Sequence, residues 1–361
     1  MTDTIASPSL MPKRFYALDA IRGIAAIAVV IYHYTQHNGL DWVHSAWVAV
    51  DIFFILSGFV LMHSYGQKVA QGMTFKGFLY SRITRLGPMY VVGLALGIGA
   101  ALLLIYSSPE SPIEPKNLAT ASVLNFFLLP YFNDHAWPFG SHAIHGTVFP
   151  LNDPAWSLFF EMFVNIIFFI YLARFRKINL PVLIGISGIT FVALTLGLHQ
   201  LNPGARGSDF VLGFPRVIFE FFLGVFIYQC YSYYKLPPSF ITYGIFFLVA
   251  ICFFSSKGAV ALANALILAP LLIAIFAKLP VSGAGVGACK FLGDISYPLY
   301  VTHFPIYRLL SELDFMENLT PAMQTILFAT IAVVIAVILV RIDESVRSSF
   351  KQSKLLRAQN S

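Results

Sequence analysis

The sequence predicts an all-α polytopic membrane protein, with about ten transmembrane helices and one short re-entrant or interfacial helix. Two observations carry that prediction. Of 361 residues, 58% are hydrophobic and only 11% charged, with a mean hydropathy of +0.75. A chain facing water would need far more Asp, Glu, Lys and Arg on its surface, whereas the bilayer core penalises charge and tolerates Phe, Leu and Ile. The apolar residues are also gathered into runs near the ~20 residues that a helix needs to cross hydrocarbon.

The runs occupy 15–36, 42–65, 86–106, 156–173, 180–199, 212–231, 240–254, 260–277, 291–310 and 321–340. The first carries Asp19, Arg22 and His33 and is followed by no small-residue cleavage site, so it is expected to be retained rather than removed as a signal peptide. Basic residues orient the set by the positive-inside rule. Lys13 and Arg14 precede the first run. Lys68, Lys76, Arg82 and Arg85 follow the second, and Arg174, Arg176 and Lys177 follow the run at 156–173. Lys235, Lys278, Lys290 and the basic C-terminal end continue the series, which puts both termini in the cytoplasm. Loops 110–114 and 312–317 are acidic and fit the outside. A further run at 118–132 is short for a crossing. Were it to span, every later basic loop would fall outside, so it is expected to be re-entrant or to lie at the outer surface, with 133–154 as an outer loop. The expected organisation is one membrane domain over 1–345 and a basic cytoplasmic tail over 346–361.

The net charge of +6 reflects this orientation rather than nucleic-acid binding, since no soluble basic face is visible. Cys230, Cys252 and Cys289 lie in or beside apolar runs without metal-ligand or paired spacing, so neither a disulfide framework nor a metal site is expected. No bound cofactor is expected either.

Against this background the ionisable residues within the runs stand out, because each costs about 2.5–3.5 kcal/mol on insertion scales and so faces protein or water. Arg22 and His33 are eleven residues apart, close to three whole turns, and project from nearly one face roughly 16–17 Å apart along the axis. Asp51 lies in the outer half of the second run, where an anion at a helix start is structural or holds a histidine across the interface. Arg82 and Arg85 are three apart at an inner helix entrance; paired guanidinium groups suit phosphate as well as simple anchoring. Trp156 reads alone as an interfacial anchor, and with Ser157 it leads into Glu161, placed at a depth comparable with Asp51 and His33. Arg216 and Glu220, four apart, read as an ion pair within one helix. In 293–303, Ser296, Tyr300 and His303 share a face, with His303 in the outer half. The pattern is arginines at the inner entrance and His33, Asp51, Glu161 and His303 further out, so an anionic ligand would enter from the cytoplasm and react near the far side.

These residues resemble the membrane acyltransferase family 3, whose members acylate hydroxyls of bacterial surface and secreted carbohydrates. The resemblance lies in Phe15 to Gly23 with Arg22 and His33 at the family's Arg-x10-His spacing, the 51–59 segment, Arg82-Ile83-Thr84-Arg85, Trp156-Ser157-Leu158-x-x-Glu161 and 293–303. It spans nearly the whole chain. The chain departs from it at Phe159, where the family commonly has Ser, which leaves the role of Ser157 open. The resemblance implies ten membrane helices, an acyl-CoA co-substrate (acetyl-CoA by default) from the cytoplasm, and a carbohydrate or glycolipid acceptor at the outer side of the inner membrane. It also implies His33 as the catalytic histidine and Arg82 with Arg85 in the donor site or its support. Some members carry an extra periplasmic esterase-like domain, expected here to be separate or absent.

On this reading Arg82, Arg85 and Arg22 hold the phosphates of CoA, and the acyl arm threads outward to His33. His33 acts as general base or as a covalent acyl carrier, oriented by Asp51 or Glu161. Trp156, Ser157, Tyr300, His303, Arg216 and Glu220 are candidates for acceptor binding or support. A proton-coupled sugar or polysaccharide transporter would also place ionisable groups within its helices, but the halves show no repeat. A membrane scaffold without chemistry is the third class.

Overall fold

In the computed structural model, residues 14–37, 39–40, 42–107, 113–139, 142–200, 202–235, 244–245, 247–249, 258–311 and 318–359 are described. Helices α1 (Tyr16–His37), α2 (Val48–Ala70) and α3 (Phe75–Ser107) come first, followed by the short α4 (Pro115–Phe126). A hairpin of β1 (Ala136–Phe139) and β2 (His142–His145) precedes α5 (Ala155–Arg174), α6 (Leu180–Leu198) and α7 (Gly213–Cys230). The chain then forms α8 (Ala259–Lys278), α9 (Ala284–Ser311) and α10 (Pro321–Gln359). Within α8, Asn264–Leu268 is wound as a π-helix.

Eight helices among the described residues are long and apolar enough to cross a membrane. Ile186, Ile189 and Leu196 on α6 and Val334 and Ile338 on α10 are exposed, an arrangement suited to lipid and not to water. The chain is thus an all-α polytopic membrane protein, with the β1–β2 hairpin as a small addition that the sequence reading placed only as loop. The expected crossing at 240–254 and the acidic loop at 312–317 lie largely or wholly outside the described residues. At 12 residues, α4 is too short to span, in keeping with the reading of 118–132.

Several boundaries differ from the apolar runs. α3 is 33 residues long, about 50 Å, and starts at Phe75, so Arg82 and Arg85 stand two and three turns inside a helix rather than at its entrance. α10 has 39 residues and continues to Gln359, so the segment expected as a basic tail prolongs the last helix well past its apolar part, Pro321–Ile342.

α1 packs along α9, and α2 along α7. Both pairs are parallel: Arg22 meets Ser296 while His33 meets His303, and Asp51 meets Arg216 while His63 meets Tyr228. α3 runs antiparallel to α5, since Phe78 stacks near Phe169 and Arg82 reaches Glu161. Lys278 at the end of α8 lies over the rings of Tyr231 and Tyr234, just past the end of α7, so α8 runs parallel to α7.

Glycine permits these close approaches. A Cβ on Gly58 would fall 1.9 Å from the Phe221 carbonyl oxygen, and one on Gly224 would fall 1.9 Å from that of Ile55, so the α2 and α7 backbones touch reciprocally. Between α3 and α5, residues 147–154 turn inward and are buried against α3 and α9. A Cβ on Gly97 would lie 2.0 Å from the Leu151 carbonyl oxygen. Pro305 has no N–H for the Val301 carbonyl one turn back, and Asn152 Nδ2 donates to it instead at 2.8 Å. Arg308 Nη1 donates to the Pro150 carbonyl at 3.0 Å.

Gly58→Ala should therefore cost about 1–3 kcal/mol or more, because the clash is with backbone and no rotamer relieves it. Thermal unfolding of the purified protein in detergent checks this; an unchanged midpoint would mean that α2 and α7 are not in backbone contact.

Candidate active site

The ionisable groups read from the sequence separate into four clusters, each bridging between helices. At the start of α1, Asp19 binds Arg14 at 2.5 Å and Arg22 at 3.2 Å, and Arg14 reaches Asp294 at 3.3 Å. Arg22 also donates to the Gly293 carbonyl at 2.8 Å and to Ser296 Oγ at 2.9 Å. The Arg22 guanidinium is thus held on α9 rather than snorkelling to headgroups.

The second cluster is completely buried. Arg216 Nη2 and Nε donate to Asp51 Oδ1 at 2.7 and 2.9 Å, Nε approaches Glu220 Oε1 at 3.4 Å, and Nη1 donates to Asn202 Oδ1 at 2.7 Å and the Pro203 carbonyl at 3.0 Å. Trp47 and Trp156 lie against the same guanidinium, their ring centres 5.9 and 5.6 Å away. Two expectations fail here. Asp51 does not orient a histidine, because the stronger charge partner on α7 takes it. Trp156 is 5% exposed and packs on Arg216 instead of anchoring at the interface.

Glu161 is the third correction. Placed beside His33 by the sequence reading, it instead accepts from Arg82 Nη2 at 3.1 Å and from Ser57 Oγ at 3.3 Å. The inward fold of 147–154 starts α5 deep in the bundle, which brings Glu161 to the level of Arg82. Neither Asp51 nor Glu161 bonds to His33.

The histidine's partner is His303. His33 Nδ1 lies 2.9 Å from the Val29 carbonyl and 3.2 Å from His303 Nε2. The two rings tilt against each other with centres 5.1 Å apart. His303 is fully buried, and its Nδ1 lies 2.8 Å from the Tyr300 carbonyl and 3.2 Å from that of Leu299.

A cavity of ≈150 Å³ lies among α1, α2, α3, α5 and α9. Arg22, Arg82 and Arg85 line it together with Glu161, Ser57, Ser296 and Tyr297, and it extends along apolar α2 side chains to Ser157 and Tyr300. The two last hydroxyls are 2.8 Å apart, and Ser157 Oγ also donates to the Pro154 carbonyl at 2.9 Å. His33 is not part of the lining. Tyr300 joins the two regions, since its ring lies 6.0 Å from that of His303 and edge-on to Phe53 at 5.3 Å. The single corridor from arginines to imidazole expected from the sequence is thus a cavity and a histidine pair meeting at one aromatic layer. The Asp51–Arg216–Glu220 cluster lies beside it and holds α2.

Residues 15–341 match the family model of the acyltransferase 3 domain, and the chain belongs to that family. It is 38% identical over 189 residues to protein 2 in the picA locus of Rhizobium radiobacter, an alignment covering 50% of this chain and 94% of that protein. It is 27% identical over 237 residues to the peptidoglycan O-acetyltransferase OatA of Listeria monocytogenes (62% of this chain, 35% of the relative). To the O-acetyltransferase OatA of Staphylococcus aureus it is 26% identical over 200 residues (53% and 31%). The chain therefore spans about a third of the length of these two acetyltransferases. No solved structure matches.

Sequence reasoning missed Asn152, Asp153, Ser57 and Arg308. Pro305 held the signal for Asn152, because a proline inside a buried helix demands a donor from elsewhere. Asp153 sits just ahead of α5 and accepts from the Thr147 hydroxyl. Burial pushes its carboxyl up to about 6, against the Thr147 hydrogen bond and Arg206, which favour the ionised form, while Asp209 adds to the rise. A carboxyl raised in the folded state gives stability that is fully present below its unfolded pKa and lost as pH rises through about 6. Asp153→Asn should flatten the decline in melting temperature between about pH 4 and about 6. An unaltered pH profile in that variant would show that the carboxyl ionises freely in the folded protein.

Proposed function

We propose that this membrane protein transfers an acyl group, acetyl, from cytoplasmic acyl-CoA to a hydroxyl of a carbohydrate at the outer side of the inner membrane. The observation that carries the reading is one cavity with three arginines at one end and, one aromatic layer beyond its other end, the His33–His303 pair. Membership of the acyltransferase family and the O-acetyl transfer named for two relatives support it. The basic loops orient the arginine end toward the cytoplasm, with ten crossings and both termini inside.

CoA phosphates are too highly charged to enter hydrocarbon, so they stop at the arginines and only the acyl-bearing arm goes further. The three arginines differ. Arg22 is half-buried beside Asp19 and Arg82 is buried beside Glu161; Arg85 is the exposed one and lines the cavity, which makes it the most accessible to phosphate. Arg82 with Glu161 and Ser57 then forms the polar wall that the arm passes.

At the far end the acceptor hydroxyl gives its proton to His33 as its oxygen attacks the thioester carbonyl. The tetrahedral intermediate expels the CoA sulfur, which takes that proton back. In the covalent variant the imidazole itself attacks, CoA leaves as its thiolate, and the acceptor hydroxyl then displaces the acyl group from His33 and loses its proton, which ends on the CoA sulfur. Both routes balance without a further reactant.

His33→Ala should lower turnover by about 10²–10⁴-fold while the amount of membrane-inserted protein stays the same. Arg85→Ala should raise KM for acetyl-CoA by roughly 10–100-fold, the worth of one charge-assisted contact, and leave kcat nearly intact. Inverted membrane vesicles given radiolabelled acetyl-CoA supply both readings through label in carbohydrate. Wild-type turnover in His33→Ala would sink the assignment.

A further inference from the structure

The hydrogen bonds around the two histidines fix where their protons are. A carbonyl oxygen accepts and never donates, so the 2.8 Å approach of His303 Nδ1 to the Tyr300 carbonyl requires a proton on that nitrogen. In the neutral ring Nε2 then carries a lone pair, and it points at His33 Nδ1, 3.2 Å away. His33 Nδ1 also lies 2.9 Å from the Val29 carbonyl, so it too carries a proton and shares it between that oxygen and His303 Nε2. The chain of donors runs one way, from His33 through His303 to the α9 backbone. It leaves one lone pair in the two rings that is not already accepting a hydrogen bond between them, that on Nε2 of His33.

We propose that His303 is a positioning residue for the transfer, and that it sets the His33 tautomer so that Nε2 is the reacting atom; this rests on the reading of His33 as the reacting imidazole. When Nε2 takes the acceptor's proton, His33 becomes an imidazolium whose Nδ1–H bonds to the His303 lone pair. When Nε2 gives the proton to the leaving sulfur, the same bond returns to its neutral form. A carboxylate would do this by charge, as in hydrolase triads, but would bury an anion here. The neutral ring supplies an acceptor with no charge to desolvate.

The surroundings hold His303 for this role. It is fully buried, its Nδ1 bonds two carbonyls of its own helix, and Pro298 and Pro305 flank it in α9. Phe304, the next residue, stands edge-on to His33 at 6.2 Å and stacks on Phe139 of the hairpin at 4.3 Å, which braces the pair from the outer side.

The test uses the full chain in membranes, with acetyl-CoA as the probe and release of CoA thiol as the rate. His303→Leu, which keeps bulk but removes the acceptor, should lower kcat by about 10²-fold with KM for acetyl-CoA changed less than about twofold. His303→Gln, whose amide oxygen accepts the same bond, should recover roughly tenfold of that loss. ¹⁵N NMR of the histidine-labelled wild-type chain should show both His33 and His303 protonated at Nδ1 near neutral pH, with His33→Ala and His303→Gln samples identifying the signals. His33 protonated at Nε2, or wild-type kcat in His303→Leu, overturns the positioning role. If His33→Ala is inactive while His303→Leu is normal, this inference alone falls; if both turn over normally, the acyl-transfer reading falls with it.

Discussion

Every charge inside this bundle has to find its partner within the protein, because hydrocarbon offers none. The helices are arranged by that demand. Arg22, held by Asp19 of its own helix, ties α1 to α9 through the Gly293 carbonyl and Ser296; Arg216 ties α2 to α7 through Asp51; Arg82 ties α3 to α5 through Glu161. Five of these six helices enclose the cavity. An unpaired buried charge is far more costly than a surface one, so these contacts fix helix rotation more strictly than apolar packing, which tolerates a shift of a few degrees.

Short ion pairs need close backbones, and glycines at the contacts provide them. Gly58 and Gly224 bring α2 and α7 together about two turns from the Asp51–Arg216 pair. Gly23 does the same for α1, where a Cβ would meet the Leu292 carbonyl oxygen at 2.5 Å, beside the Arg22 contacts. The prolines of α9 work in the opposite sense. By freeing carbonyls they make room for side chains from other segments, and the inward arch at 147–154 is seated through Asn152 on one of them. That arch lowers the start of α5 and brings Glu161 to Arg82.

The long apolar helices and the non-spanning α4 were legible in the sequence because hydropathy reports directly on the bilayer. The turn of Arg22 and His33 toward one neighbour was legible too, since eleven residues nearly complete three turns. Which carboxylate met which cation was not. Asp51 and Glu161 had suitable charge and estimated depth for His33, yet depth counted along a helix assumes that each helix begins at the membrane surface, and α5 does not. Pairing is also a competition. Arg216 offers Asp51 two short hydrogen bonds where a neutral imidazole would offer one, so the arginine wins. His303 was visible as a candidate, but its bond to His33 depends on the register of α1 against α9, which periodicity within one helix does not contain.

The outcome of that competition bears on the chemistry. With Asp51 and Glu161 both committed to arginines, no carboxylate among the described residues bonds to His33, whose polar contacts are His303 and the Val29 carbonyl. An imidazole next to a carboxylate, as in hydrolase triads, keeps its basicity but brings a second buried charge that must itself be compensated. On the proposed reading, His33 beside a neutral histidine rests uncharged and becomes charged only while it holds a proton in transit. The cationic end of the cavity is kept separate by the Phe53–Tyr300 layer, so the arginines do not oppose that charge at close range. On the proposed reading, an acceptor on one side and a phosphate-bearing donor on the other meet at one uncharged site, while the permanent charges of the bundle are engaged in holding its helices in place.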